Sequence, residues 1–266
     1  MKQYYFLVGL PRSGNTLLSS ILNQNPKVSV TANSIVPDIL WNLDCERENS
    51  LTFKNFPDHQ SYDNLMSSVF DGYYKNWKSD IIIDRSNWGS PNNIKLLKKY
   101  CPNKPKFILL VRDVLEVLAS FIKWSKENKP NFIDNETNNA SVEIKCDFLM
   151  RSDLQIVQEY TAIHNLYKNG ENIILLTYND LIESPKESVE RIYEFLNIES
   201  HQHKFQDLEQ LNTNNVFYND DVVGKKLHYV KSKISKTQYN IKEYLPSYVI
   251  NKYGNLDFWK KSFINK

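Results

Sequence analysis

Gly9 and Gly14 bracket the segment Leu10-Pro11-Arg12-Ser13, and Asn15 and Thr16 follow. This is the G-x-x-x-x-G spacing of a phosphate-cradling loop. Thr16 stands at the Ser/Thr position of that motif, but Asn15 stands where ATP and GTP enzymes carry a lysine for the β- and γ-phosphates. Arg12, inside the loop, offers instead a planar, permanently charged fork suited to an oxyanion. The first amides of the helix expected from about Asn15 have no internal partners, and the helix dipole favours an anion there. The residues predict a loop that holds a phosphate-like group without the triphosphate lysine; the plainer reading is an ordinary strand-to-helix turn.

A second set of candidates ends two other apolar runs. Arg112 closes Leu110-Val111-Arg112 before Asp113, and Ser120 lies eight residues further on. Eight residues are about two helical turns, so both side chains reach one ligand only if the chain turns sharply between them. Arg85 follows Asp84 at the end of Ile81-Ile82-Ile83. Each arginine also has a structural reading, as an ion pair with its neighbouring aspartate, Asp113 or Asp84.

The elements that must position these residues are legible in the apolar pattern. Residues 4–9, 80–84, 106–112 and 172–178 are nearly continuous in aliphatic and aromatic side chains, as in strands buried on both faces of a parallel sheet. Val28–Thr31 adds a short strand. Helical patterns at 15–24, 60–77, 91–100, 113–127 and 150–169 alternate with the strands. The prediction is an α/β fold, a P-loop-type doubly wound parallel sheet flanked by helices, with ligands at the carboxyl ends of the strands. Residues 41–60 and 128–147, rich in Asn, Asp and Glu, are expected to be irregular lids or substrate loops. Pro185 opens a helix to about Leu196 with Ser184 as N-cap, and a last helical segment spans about Tyr239 to Trp259, broken near Pro246.

Composition bounds the remainder. The 266 residues suit a single domain over 1–266, and a net charge of +2 gives no global basic field that argues for nucleic acid. Cys45, Cys101 and Cys146 form no CxxC pair and fit reduced thiols used in packing. No run is long enough to cross a bilayer, and the opening residues lack the features of a signal peptide, so a cytoplasmic protein is expected. His201 and His203 lack further ligands nearby and read as a polar loop, so no metal is expected. Six lysines, Lys225, Lys226, Lys231, Lys233, Lys236 and Lys242, crowd an acid-free segment that reads first as a solvated face. Tyr73, Tyr74 and Trp77 read as helix packing, with an acceptor platform as the alternative.

The motifs PRSGNT after the first strand and VRD followed by Ser120 resemble the two phosphate sites of sulfotransferases that use 3′-phosphoadenosine 5′-phosphosulfate. The likeness is greatest to the tyrosylprotein sulfotransferases and their bacterial and phage relatives, over residues 4–40 and 80–125, with weaker echoes to 196. It implies that Pro11, Arg12, Ser13, Gly14, Asn15 and Thr16 bind the 5′-phosphosulfate and that Arg112 and Ser120 bind the 3′-phosphate. It implies further that Arg85 replaces a lysine at the reacting sulfuryl group, that Tyr178 lies near the adenine, and that Ser235 and Lys236 belong to a basic segment closing over the nucleotide. Arg12 and Arg85 are then the catalytic cations, the product is adenosine 3′,5′-bisphosphate, and the acceptor is a small molecule or glycan.

One departure stands out. The tyrosylprotein enzymes carry a catalytic glutamate in a Gly-Glu-Glu-Thr stretch, whereas the corresponding residues here, Val30-Thr31-Ala32-Asn33-Ser34, hold no carboxylate. Asn33 cannot act as a base, which leaves Asp38, Glu46 or His59 as substitutes, a different acceptor, or no transfer at all. Two rival functions follow: a metal-dependent kinase of a nucleotide or small molecule with Asp84 on a Walker-B-like strand, and a non-catalytic nucleotide-binding module.

Overall fold

The computed structural model describes residues 2–210, 216–222, 227–237 and 239–260. Five strands, β1 (Gln3–Gly9), β2 (Val28–Val30), β3 (Ile81–Arg85), β4 (Phe107–Val111) and β5 (Ile173–Thr177), form one all-parallel sheet in the order β2-β3-β1-β4-β5. Leu7 stands opposite both Arg85 and Ile108, and Leu110 opposite both Gly9 and Leu176. These pairings bring the ends of β1, β3 and β4 to one edge of the sheet.

Successive side chains on a strand face opposite ways, and that alternation divides the core. Tyr4, Phe6 and Val8 of β1, with Phe107, Leu109 and Val111 of β4, enter the larger cluster. Helices α2 (Val36–Asn49), α4 (His59–Tyr73), α5 (Pro91–Tyr100), α6 (Val114–Glu127) and α9 (Gln155–Lys168) contribute to it. Tyr5 and Leu7, with Ile108 and Leu110, pack on the opposite face against α1 (Asn15–Leu22) and α11 (Pro185–Leu196). The doubly wound arrangement is therefore as expected, and the predicted strands and five predicted helices appear within a few residues of their expected limits.

The two stretches expected to be irregular are largely helical. Residues 41–60 contain the end of α2, all of α3 (Leu51–Asn55) and the start of α4, while 128–147 contain α7 (Phe132–Glu136) and most of α8 (Val142–Leu149). The polar side chains that suggested loops serve as caps and ties. Ser50 and Asn131 accept from the backbone of Phe53 and Asp134 at the starts of α3 and α7, a function that favours Ser and Asn at helix N-termini. Arg47 bonds to Asp44, Asp63 and Tyr100, and Lys145 pairs with Asp134 at 2.6 Å to join α7 and α8.

Other departures are smaller. A short helix, α10 (Tyr178–Glu183), follows β5 directly because Thr177 and Asp180 form a reciprocal capping box. Helix α11 starts at Pro185, but the Ser184 side chain caps nothing. The last predicted helix is α12 (Ile241–Tyr244) and α13 (Ser247–Tyr253), separated at Leu245 and Pro246. Beyond Tyr253 the chain turns, and Asp257 accepts from the backbone N–H of Val114 at 3.1 Å, docking this segment on the start of α6. All three cysteines are free, and among the described residues no helix is long and apolar enough to cross a membrane.

Candidate functional site

The connection leaving β1 runs toward β2, and that leaving β4 runs toward β5, so a crevice opens between their carboxyl ends, where open α/β sheets bind ligands. A cavity of about 390 Å³ occupies this place. It is lined by Pro11, Arg12, Gly14, Asn15 and Thr16 from the loop after β1, Arg85 after β3, Arg112 and Ser120 around the start of α6, Tyr178, and Ser235.

The loop holds its shape through two left-handed residues, Arg12 at φ 63° and Gly14 at φ 94°. Arg12 adopts a conformation that non-glycine residues seldom take, which aims its side chain along the cavity rather than into the core. Asn15 does not aim its amide there: Nδ2 donates back to the carbonyl of Leu10 at 2.8 Å and, more weakly, to that of Gly9. A Cβ built on Gly9 would stand 1.9 Å from Asn15 Oδ1. Gly9 is thus required to seat the Asn15 amide, not to let a ligand approach. Ser13 is also turned away, with its hydroxyl donating to Leu10 and within reach of the Leu110 carbonyl, and it does not line the cavity. What Ser13 and Asn15 supply to the expected site is loop geometry and backbone.

Arg112 and Ser120 do converge, because Asp113 turns the chain by accepting from the N–H groups of Leu115 and Glu116 at the start of α6. Their meeting point is Arg12. Its Nε donates to Ser120 Oγ at 3.1 Å, and Arg112 Nη1 donates to the Arg12 carbonyl at 2.9 Å. Arg112 Nε pairs with Glu116 at 2.9 Å, not with Asp113, whose own partner is Lys260. Its guanidinium lies 3.8 Å from the Tyr178 ring centroid and 5.4 Å from that of Tyr239 on another segment. Two aromatic faces therefore hold the cation in a favourable cation–π arrangement.

Arg85 is buried, donates to the Ala32 carbonyl at 2.6 Å and forms no pair with Asp84. Asp84 points into the core, where it accepts from Ser34 Oγ and Trp88 Nε1, each at 2.8 Å, and from the Tyr74 hydroxyl. Burial raises its carboxyl to about 6 despite these bonds. Among the described residues neither Arg12 nor Arg85 forms an ion pair. Arg12 Nη1 bonds to the Leu227 carbonyl, and burial pulls its guanidinium below the ordinary arginine value. Two largely desolvated cations without carboxylate partners make the cavity receptive to an anion.

Of the basic segment, Ser235, Lys231 and Lys233 line the cavity, whereas Lys236 turns to Glu183 on α10 and does not. Lys225 and Lys226 lie outside the described residues. Asp38, Glu46 and His59 line neither this cavity nor the smaller one beside it, and His203 bonds to the Tyr193 hydroxyl, as suits a polar loop. Among the described residues no group of acidic, His and Cys side chains is arranged to hold a metal. A second cavity of about 200 Å³ shares Thr16 with the first and is lined by Asn33, Tyr73, Trp77 and Tyr218. Tyr73 and Trp77 therefore have a surface beyond packing, while Tyr74 is wholly buried.

Three neighbours of the arginines carried no legible signal in the sequence. Glu159, on α9, is buried with Oε2 unpartnered, and burial raises its carboxyl to about 7, opposed by Arg85. Asp220 and His228 bond to each other 2.6 Å apart, and His228 lines the cavity. Asp220 lies just before the lysine-rich segment and His228 within it, and neither stood out by type or spacing.

A sequence model of the sulfotransferase family matches residues 5–202. No curated protein matches the sequence. Similar solved structures include mouse sulfotransferase SULT7A1 complexed with PAP, at 14% identity and TM-score 0.56 over 96% of this chain and 83% of that one. The sulfotransferase domain of the Synechococcus PCC 7002 olefin synthase aligns at 14% identity and TM-score 0.51 over 91% and 92% of the two chains. The sulfotransferase domain from the curacin biosynthetic pathway aligns at 16% identity and TM-score 0.50 over 76% of each. At such identities the likeness is one of fold.

Proposed function

The chain belongs to the sulfotransferase family, and from that premise we propose that it moves a sulfuryl group from 3′-phosphoadenosine 5′-phosphosulfate to a hydroxyl or amine of a carbohydrate, lipid or small metabolite. The observation that carries this reading is the pair of guanidiniums, Arg12 and Arg85, that have no ion-pair partner among the described residues and line one cavity with Arg112, Ser120 and the start of α1. The residues fit the donor in kind: the first amides of α1 and Arg12 would hold the phosphosulfate, and Arg112 with Ser120 the 3′-phosphate. Tyr178 would border the adenine, and Ser235 the closing segment.

When bound, the donor supplies an activated sulfuryl group and a phosphate leaving group. The protein's part is positioning and charge. Arg12, Arg85 and the helix amides stand where negative charge grows as the sulfuryl group passes, and fixed donors in a water-poor cleft are worth far more than the same groups in water. A 3′-phosphate site remote from the reacting atoms adds binding energy and separates this donor from ATP. The smaller cavity, with Tyr73 and Trp77 as apolar walls and Asn33 as a polar one, is the proposed acceptor seat.

The kinase alternative loses its metal ligand, since the Asp84 carboxylate is spent on Ser34, Tyr74 and Trp88. Calorimetric titration tests the proposal. Adenosine 3′,5′-bisphosphate should bind without a divalent ion and more tightly than ATP with magnesium, and radiolabelled donor should transfer its sulfuryl group to members of a panel of hydroxyl and amine acceptors. Magnesium-dependent ATP binding with no preference for the 3′-phosphate would reject it; bisphosphate binding with no transfer to any acceptor would favour a binding module.

A further inference from the structure

The proposed transfer leaves one task unassigned, removal of the acceptor's proton, because position 33 is an asparagine and none of Asp38, Glu46 and His59 reaches either cavity. Resting on the sulfuryl-transfer reading, we infer that His228 is the general base and that Asp220 is the residue that positions it.

Geometry carries this assignment. Asp220 spends both carboxylate oxygens on one residue: Oδ1 lies 2.6 Å from His228 Nδ1, and Oδ2 accepts from the His228 backbone N–H at 3.1 Å. A carboxylate at Nδ1 fixes the tautomer with the proton on that nitrogen, leaving the lone pair on Nε2. Among the described residues Nε2 has no hydrogen-bond partner, and the residue lines the cavity that holds Arg12 and Arg85. The ring itself is braced. It stacks on Tyr218, with centroids 3.9 Å apart and planes 5° from parallel. The Tyr218 hydroxyl donates to the Ala32 carbonyl at 2.9 Å, the same oxygen that accepts from Arg85. On its other side, the carbonyl of the preceding residue, Leu227, accepts from Arg12. The imidazole is thus tied to both cations proposed to face the sulfuryl group, to Arg12 through Leu227 and to Arg85 through Tyr218 and the Ala32 carbonyl. Tyr218 also lines the second cavity, so the ring stands beside the proposed acceptor seat.

The charged and titratable groups facing the ring are Asp220 from the short 3-10 turn at Asp220–Val222, Tyr218 beneath it, Arg12 from the loop after β1 and Arg85 from the end of β3. Burial, aided by the two arginines, lowers the imidazole below its ordinary value, and Asp220 opposes them. The ring is therefore neutral at neutral pH, the form a base needs. In the step itself, Nε2 takes the acceptor's proton as the acceptor oxygen or nitrogen bonds to sulfur. The bond from sulfur to the 5′-phosphate oxygen breaks, and that oxygen keeps the electron pair. The proton then leaves His228 to solvent, so charge and atoms balance without a metal or oxidant.

The test compares wild type with His228→Gln and Asp220→Asn in three measurements: bisphosphate affinity, transfer to hydroxyl acceptors graded in acidity, and the exchange of a sulfuryl group between 4-nitrophenyl sulfate and the bisphosphate. His228→Gln should keep bisphosphate affinity within about threefold and lose about 100-fold or more in kcat toward weakly acidic hydroxyls, a typical value of general-base catalysis. That loss should shrink steadily as acceptor acidity rises, because an acidic phenol needs less help to lose its proton. Asp220→Asn should lower kcat with KM little changed and move the acidic limb of the pH–rate profile to lower pH, since the carboxylate that raises the imidazole is gone. Equal turnover by His228→Gln and wild type, or a loss that ignores acceptor acidity, overturns the base while leaving the transfer reading intact. A wild-type protein that neither binds the bisphosphate nor supports exchange overturns both.

Discussion

Arg112 donates from Nη1 to the backbone carbonyl of Arg12 at 2.9 Å, so the residue proposed for the 3′-phosphate also braces the loop proposed for the 5′-group. Two anion positions that lie 100 residues apart in the chain are mechanically joined. Arg112→Ala should therefore weaken adenosine 3′,5′-bisphosphate by about 1.5–3 kcal/mol, the worth of a charge-assisted contact, and weaken adenosine 5′-phosphate by a smaller amount through the loosened loop. Calorimetry with both nucleotides checks this. Identical losses would make Arg112 a purely structural brace.

The stacking of Arg112 on Tyr178 gives a graded expectation. Tyr178→Phe keeps the ring face and should hold bisphosphate affinity near wild type, whereas Tyr178→Leu removes it and should cost on the order of 0.5–2 kcal/mol of binding. A phenylalanine variant as weak as the leucine variant would shift the credit to the hydroxyl, whose bond to the Thr237 backbone is long at 3.5 Å.

Gly9 and Asn15 should behave as a unit. The missing Cβ of Gly9 makes room for the Asn15 amide, so Gly9→Ala is expected to destabilise by about 1–3 kcal/mol through overpacking. In an Asn15→Ala background the same change should cost much less, and the double-mutant cycle should show coupling of about 1 kcal/mol or more. Additive losses in urea unfolding would place the strain of Gly9→Ala elsewhere.

Glu159 sets a pH dependence of stability. Its carboxyl is raised from 4.5 to about 7 by burial, so the native state holds a proton that the unfolded chain releases between those values. The stabilisation is complete below the unfolded value and is lost as pH rises through about 7, by an amount on the order of 1–3 kcal/mol. Urea unfolding at pH 5 and pH 8 should show this fall in wild type and a flatter profile in Glu159→Gln. The same slope in both proteins would assign it to another group.

Arg12 and Asn33 should separate donor binding from acceptor binding. Arg12→Ala is expected to impair both bisphosphate affinity and turnover, while Asn33→Ala, whose side chain is exposed in the smaller cavity, should leave bisphosphate affinity near normal and alter only KM for the acceptor. A loss of bisphosphate affinity in Asn33→Ala would remove that cavity from the acceptor's side of the site.

Local chemistry made much of this protein legible. Buried parallel strands advertise themselves as unbroken apolar runs, a Gly-to-Gly loop before a helix advertises an anion cradle, and arginines at strand ends fall at the binding edge of such a sheet. The chain from Gln3 to Gly9, the helix from Pro91 to Tyr100, and the places of Arg12, Arg85 and Arg112 could be read this way because each depends on residues within a few positions. Residues 41–60 and 128–147 misled in part for the opposite reason: Arg47 and Lys145 look like loop residues until their partners in other helices, Asp63 and Asp134, are known, while Ser50 and Asn131 are local caps of helices too short to show an apolar period.

Which groups face the ligand was decided by tertiary structure. Sequence spacing alone could not reveal that Asn15 and Ser13 bond back into their own loop, that Arg12 joins Ser120 to Arg112, or that Asp84 is spent in the core while Arg85 lines the cavity. Nor could it bring Asp220 to His228, or both to the two arginines. The physical reason is that a motif specifies backbone shape within about ten residues, whereas the direction of a polar side chain is set by whichever partner the fold delivers to it, and these partners lie up to 215 residues away in the chain.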